Sequence, residues 1–204
     1  KIYTWDDKKN KNNKKKFDIF KEALDFVDFI VISPGINIYK TKLSLKLFQN
    51  KKKIITDLDL FYMQKIPVKS IVITGTNGKS TACKLIQYIL KNDRLDAKLG
   101  GNIGKPVLDL KIQKKSIVII EASSFQLSYT QFVKPSIAAI LNIANDHLDW
   151  HKTKENYKNS KFKIFSKQGP KDTALLRNKK LISLFNKNNY LSKLKIVKEI
   201  TLNN

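Results

Sequence analysis

The run Ile71-Val72-Ile73-Thr74 passes directly into Gly75-Thr76-Asn77-Gly78-Lys79-Ser80-Thr81, and residues 79–91 then carry Leu85, Ile86, Ile89 and Leu90 at helical spacing. A strand that turns through glycine straight into a helix puts the first N–H groups of the helix, and its positive dipole end, at the carboxyl end of the strand. That geometry demands an anion. The glycines aim backbone N–H groups at a phosphate, Lys79 has the reach for the terminal phosphates, and the Ser80 hydroxyl can ligate Mg²⁺. The loop is shorter than the usual phosphate loop, which has a glycine where Ile73 stands here. A serine-capped Gly-Lys turn is the bland alternative, and the flanking strand and helix argue against it. The sequence therefore predicts nucleotide binding through Gly75, Thr76, Asn77, Gly78, Lys79, Ser80 and Thr81.

The rest of the chain fits the same architecture. Residues 8–16, all Lys or Asn, read as a solvated loop. Phe26 to Ile32 is a strand candidate stopped by Ser33-Pro34-Gly35, residues 42–50 read as a short helix, and residues 53–56 as a strand. The continuous apolar runs Ser116–Ile120 and Ile137–Ile143 have the character of strands buried on both faces. Strands alternating with helices predict an α/β fold with a mostly parallel sheet. The expected division is a Rossmann-like unit over residues 1–66, followed by a P-loop-type ATPase unit over residues 67–204.

In such sheets, ligands gather at the carboxyl ends of the strands. Glu121 ends one apolar run and can hold a Mg²⁺ that bridges nucleotide phosphates; the alternative is an ordinary surface acid. The next run ends in Ala144-Asn145-Asp146-His147, where His147 is either a packed histidine or a site residue. Lys161 shares a helical stripe with Tyr157, Ile164 and Phe165 on a helix predicted over 154–166, so it faces inward. Burial favours a neutral amine, and a neutral amine can add CO₂ to become an anionic carbamate. A snorkelling lysine stem is the competing reading.

Composition narrows the function classes. The chain has 204 residues, with 40 Lys plus Arg against 17 Asp plus Glu, and a formal net charge of +23. Only Arg94 and Arg177 are arginine, and the lysines are spread through every segment, whereas a nucleic-acid surface concentrates Arg with aromatics on one element. A specific nucleic-acid partner is not expected. The single cysteine, Cys83, excludes an intrachain disulfide and a cysteine zinc cage. No apolar stretch is long enough for membrane insertion. A cytoplasmic home and a monomeric state are the expectations.

The loop Gly75–Thr81 closely resembles the ATP loop of the Mur ligases and folylpolyglutamate synthases, which share the shortened form. Gly100-Gly101-Asn102-Ile103-Gly104-Lys105-Pro106, Glu121-Ala122-Ser123-Ser124-Phe125-Gln126-Leu127 and Asn142-Ile143-Ala144-Asn145-Asp146-His147-Leu148-Asp149 look like three further motifs of the family in the same order. Ser123-Ser124-Phe125-Gln126-Leu127, with Ser33-Pro34-Gly35-Ile36, is most similar to the branch that adds D-glutamate. The resemblance implies an ATP-dependent amide ligase of peptidoglycan assembly that joins D-glutamate to UDP-N-acetylmuramoyl-L-alanine through an acyl phosphate. It implies that Lys79 acts on the transferring phosphoryl group and that Ser80 and Glu121 hold one Mg²⁺. His147 and carbamylated Lys161 would then hold a second. Asn102, Ser123 and Gln126 would face the muramoyl-alanine part, and Ser33, Pro34 and Gly35 the UDP part. The resemblance favours the carbamate for Lys161, since Tyr157 and Lys161 fall where that helix belongs.

The chain opens on Lys, and the family's first strand with its Gly-rich turn and its C-terminal domain have no counterpart in it. Residues 167–204 match no family motif. These 204 residues alone are expected not to complete the reaction. Another Mur ligase or a folylpolyglutamate synthase is the alternative within the same chemistry. A nucleotide-binding remnant and a basic nucleic-acid-binding module are the alternatives outside it.

Overall fold

Every strand pairing among the described residues is parallel. The structure, a computed structural model, describes residues 1–6 and 13–198. In chain order the elements are α1 (Lys14–Ala23), β1 (Ile30–Val31), α2 (Ser44–Gln49), β2 (Ile54–Ile55), α3 (Asp57–Met63), β3 (Lys69–Thr74), α4 (Lys79–Asn92) and β4 (Ala97–Gly101). They continue with β5 (Ile117–Glu121), α5 (Ser124–Tyr129), β6 (Ile137–Ile140), α6 (Leu148–His151), α7 (Lys154–Phe162), β7 (Thr173–Leu176), α8 (Lys179–Lys187) and β8 (Lys193–Ile196). The α/β class and the parallel sheet are as the sequence predicts.

β1 and β2 form a two-stranded sheet, and the other six strands form one sheet in the order β4-β5-β3-β6-β7-β8. From β3 the chain first lays down strands on one side and then, from β6 onward, on the other. The switch point therefore lies between β3 and β6, and this is where an open parallel sheet forms its ligand crevice. The phosphate loop begins at the carboxyl end of β3.

Both faces of the central strands β3, β5 and β6 are largely buried, which explains why these strands read as apolar runs. Ile73, Ile119 and Ala139 pack on one face with Cys83 of α4 and Ala97 of β4. Val72, Val118, Ile120, Ala138 and Ile140 pack on the other with Leu58, Phe61, Phe162, Phe165, Leu181 and Phe185. Each fully buried aliphatic side chain contributes about 1.5–3 kcal/mol, so this double layer fixes the strand ends that carry the site.

Several local expectations are corrected. Residues 14–16 form the first turn of α1, with Asn13 Oδ1 accepting from Lys16 N; residues 8–12 of the predicted loop lie outside the described residues. The strand predicted over Phe26–Ile32 is only Ile30–Val31, and Phe26 and Phe29 are exposed. Ladder bonds need a partner, and β2 supplies one for two residues only. The buried face of α4 is Ala82, Cys83, Ile86 and Leu90, whereas Leu85 and Ile89 face out. Residues 163–165 leave the α-helix for a 3₁₀ turn. Lastly, β7, α8 and β8 extend the sheet through residues 173–196, where the sequence offered no assignment.

Candidate nucleotide site

Gly78 turns the loop into α4 from the left-handed region, φ 80°. Ala82 N donates to Gly78 O, the first bond of the helix, so the N–H groups ahead of it have no intrahelical acceptor. Ser80 Oγ donates to Glu121 Oε2 at 2.7 Å, and Asn102 Nδ2 donates to Glu121 Oε1 at 2.9 Å. Three predicted site residues from three strand ends thus meet on one carboxylate, which is 2% exposed. Gly101 makes this possible: at φ 102°, a Cβ there would lie 2.4 Å from Glu121 O. A hydroxyl beside a carboxylate is the hard-oxygen donor set that Mg²⁺ takes, so these two groups fit the metal.

The loop is tied down on every side. Lys79 Nζ donates to Gly75 O at 3.0 Å and Thr76 O at 2.8 Å, so its ammonium is folded over the loop carbonyls. The Thr76 hydroxyl lies 3.0 Å from the Tyr157 hydroxyl of α7 and accepts from Ala144 N at 2.9 Å. Asn77 and Thr81 are exposed.

Lys161 is 1% exposed, as its place on the stripe with Tyr157, Ile164 and Phe165 predicts. Its Nζ donates to Gly75 O at 2.8 Å and stands 4.6 Å over the Tyr157 ring. Burial, then the nearby Lys79 cation, lowers its pKa to about 7, with Asp146 opposing. The neutral amine is therefore well populated near neutral pH, the state that CO₂ addition requires. His147 lies at φ 51° ahead of α6, with its ring 6.3 Å from that of Tyr157 and 4.7 Å from that of Phe125. The two residues expected to share a metal thus both contact Tyr157. Among the described residues no three His, Cys, Asp or Glu side chains gather as a metal cluster.

The remaining predicted residues are placed differently. Ser123 and Gln126 cap α5 reciprocally: Gln126 N donates to Ser123 Oγ, and Ser123 N donates to Gln126 Oε1. Gln126 Nε2 donates to both carboxylate oxygens of Asp57 at 3.2 Å. Gln126 is thus 3% exposed with both ends of its amide engaged inside the protein. Ser33, Pro34 and Gly35 form a turn directly after β1, closed by Ile36 N donating to Ser33 O at 2.9 Å. Sequence reasoning passed over Asn142, Asp57 and His151. Asn142 lay inside the strand expected over Ile137–Ile143, and only the end of β6 at Ile140 puts it past a strand end.

Residues 73–202 match the Mur ligase middle domain. The chain belongs to the Mur ligase family. Similar Mur ligases include the UDP-N-acetylmuramoylalanine–D-glutamate ligase of Aquifex aeolicus strain VF5, 35% identical over 86% of this chain and 40% of that one. The same enzyme of Buchnera aphidicola subsp. Schizaphis graminum strain Sg is 40% identical over 79% of this chain and 39% of its own length. That of Rickettsia bellii strain RML369-C is 44% identical over 69% and 31%. The chain thus spans two fifths or less of these relatives. Among solved structures, the UDP-N-acetylmuramate:L-alanyl-gamma-D-glutamyl-meso-diaminopimelate ligase of Neisseria meningitides superposes with a TM-score of 0.55 at 15% identity, over 85% of this chain and 60% of that one. MurF ligase from Thermotoga maritima in complex with ADP gives 0.52 at 16% identity, over 90% and 45%. At these identities the likeness is one of Mur ligase fold. No helix among the described residues is long and apolar enough to cross a membrane.

Proposed function

We propose that this chain is the nucleotide-handling part of an ATP-dependent amide ligase of peptidoglycan precursor synthesis, one that adds D-glutamate to UDP-N-acetylmuramoyl-L-alanine. The observation that carries the reading is the convergence of Ser80, Glu121 and Asn102 beside the loop Gly75–Thr81. The similarity to D-glutamate ligases supports the choice of amino acid.

In this reading, a carboxylate oxygen of UDP-N-acetylmuramoyl-L-alanine attacks the γ-phosphorus of ATP, the β–γ bridge bond breaks, and ADP leaves with the electron pair. The amine of D-glutamate then attacks the acyl carbon, loses a proton, and expels inorganic phosphate. Lys79 neutralises charge on the transferring phosphoryl group, for which its ammonium has to leave the loop carbonyls. Ser80 and Glu121 would hold one Mg²⁺, and His147 with Lys161 as its carbamate a second. When bound, these ions would screen the phosphate charges. Residues 1–66 and 67–204 are read as parts of a UDP-substrate unit and an ATP unit, and a cytoplasmic location follows from the substrates.

The test is phosphate release by protein expressed from the full coding sequence, supplied with MgATP and UDP-N-acetylmuramoyl-L-alanine and with D-glutamate, L-glutamate, L-lysine or diaminopimelate in turn. Release with D-glutamate alone is expected. Release with another amino acid instead would move the enzyme within its family, and release with none would overturn the reading. The 204-residue chain is expected to bind MgADP, to lose that binding in Lys79→Ala, and to release no phosphate by itself.

A further inference from the structure

Two amides of the phosphate loop, those of Thr76 and Asn77, are already taken. Asn142, two residues beyond β6, accepts on Oδ1 from Thr76 N at 3.1 Å and from Asn77 N at 2.9 Å. Its Nδ2 donates back to Asn77 O at 3.0 Å, and its own carbonyl accepts from Thr76 N at 3.0 Å. In a loop of this kind the backbone N–H groups are what phosphate oxygens bind. Here a neutral side-chain oxygen occupies two of them.

The approach is close by construction. A Cβ on Gly75 would lie 3.2 Å from Leu141 Cβ and 3.4 Å from the main-chain N and O of Asn142. The contact crosses the switch point, from the end of β6 to the loop that follows β3, and it involves Gly75, Thr76 and Asn77, the residues between β3 and the turn at Gly78.

We propose that Asn142 is a positioning residue that braces the shortened loop from the neighbouring strand and so assigns phosphate binding to the amides that follow, Gly78 to Thr81. The assignment rests on the nucleotide-site reading above, whereas the brace itself does not. Held by Asn142, Thr76 and Asn77 keep the turn in shape before any ligand arrives, which lowers the ordering cost of binding. The first turn of α4, whose N–H groups lack intrahelical acceptors, then meets the phosphates.

Amide-resolved NMR on the 204-residue chain tests this. Without nucleotide, the Asn77 amide should exchange with solvent about tenfold more slowly in the wild type than in Asn142→Ala, a factor on the scale of one net hydrogen bond, whereas Thr76, which keeps the main-chain carbonyl of residue 142, should change less. Asn142→Asp, which keeps the acceptor, should restore that protection, and it serves as the second variant should the alanine form not fold. MgADP should shift the Gly78–Thr81 amides most and Thr76 and Asn77 least, and Asn142→Ala should bind it about tenfold more weakly, with Asn142→Asp restoring the protection of Asn77 in the ligand-free chain. Fast exchange of Thr76 and Asn77 in the wild type overturns the brace. Shifts at Thr76 and Asn77 as large as those at Gly78–Thr81 overturn the assignment, because phosphate would then be displacing the asparagine. Protection that depends on Asn142, with no response to MgADP anywhere, supports the brace and removes the nucleotide reading.

Discussion

His151 is 4% exposed, its ring stacks against Phe125, and its Nε2 lies 3.0 Å from Ser124 Oγ. Burial, reinforced by the Lys161 and His147 cations, lowers its pKa to about 4. An unfolded histidine titrates at about 6.5. Between those values the unfolded chain holds a proton that the folded chain does not, so folding stability falls as pH drops from about 6.5 to about 4. His151→Phe should flatten that fall, and thermal melts at a series of pH values across the window would read the difference; parallel curves for the two proteins would refute it. Residues of this kind were illegible in the sequence because burial depends on what packs from elsewhere. Lys161 was legible because Tyr157 on its own helix and Ile164 and Phe165 in the turn that continues it are buried with it, whereas the surroundings of His151 come from three separate elements.

At the scale of elements, α3 is fastened to the segment after α5 by one buried carboxylate. Asp59 is fully buried and accepts from Thr56 N at 2.9 Å, Gln131 N at 2.8 Å and Phe132 N at 2.7 Å. Burial raises its pKa, against the pull of those N–H donors. Asp59→Ala strands three buried donors and should cost roughly 3 kcal/mol or more in urea unfolding, while Asp59→Asn, which retains one acceptor oxygen, should cost less. An alanine variant as stable as the wild type would show that water replaces the carboxylate. The unit β3–loop–α4 was legible because strand pattern, turn residues and helix follow one another without interruption in the sequence. The outward turn of Leu85 and Ile89, and the shortness of β1, were not: both depend on which neighbour is present to cover a face or pair an edge.

Across the whole molecule, a net charge of +23 on 204 residues is largely unanswered. Ion pairs among the described residues, such as Lys46–Asp25, Lys98–Asp96 and Lys158–Glu155, lie within surface neighbourhoods. Such pairs stabilise little, and like-charge repulsion across the surface should dominate at low salt. The melting temperature is therefore expected to rise between about 10 mM and about 200 mM NaCl, a range over which the screening length falls from about 30 Å to below 10 Å. Any binding to DNA should weaken steeply over the same range; a falling melting temperature would mean that attractive pairs outweigh the repulsion. The strand order has a separate consequence for how the chain is made. β3 lies at the centre of the sheet, yet Ile71 pairs with Ile119 on one side and Ile137 on the other, both translated well after it. On a ribosome adding about 5–20 residues per second, an apolar strand destined for the middle of the molecule spends several seconds with both edges bare, which makes the interval before β6 emerges the one in which a chaperone has most to do.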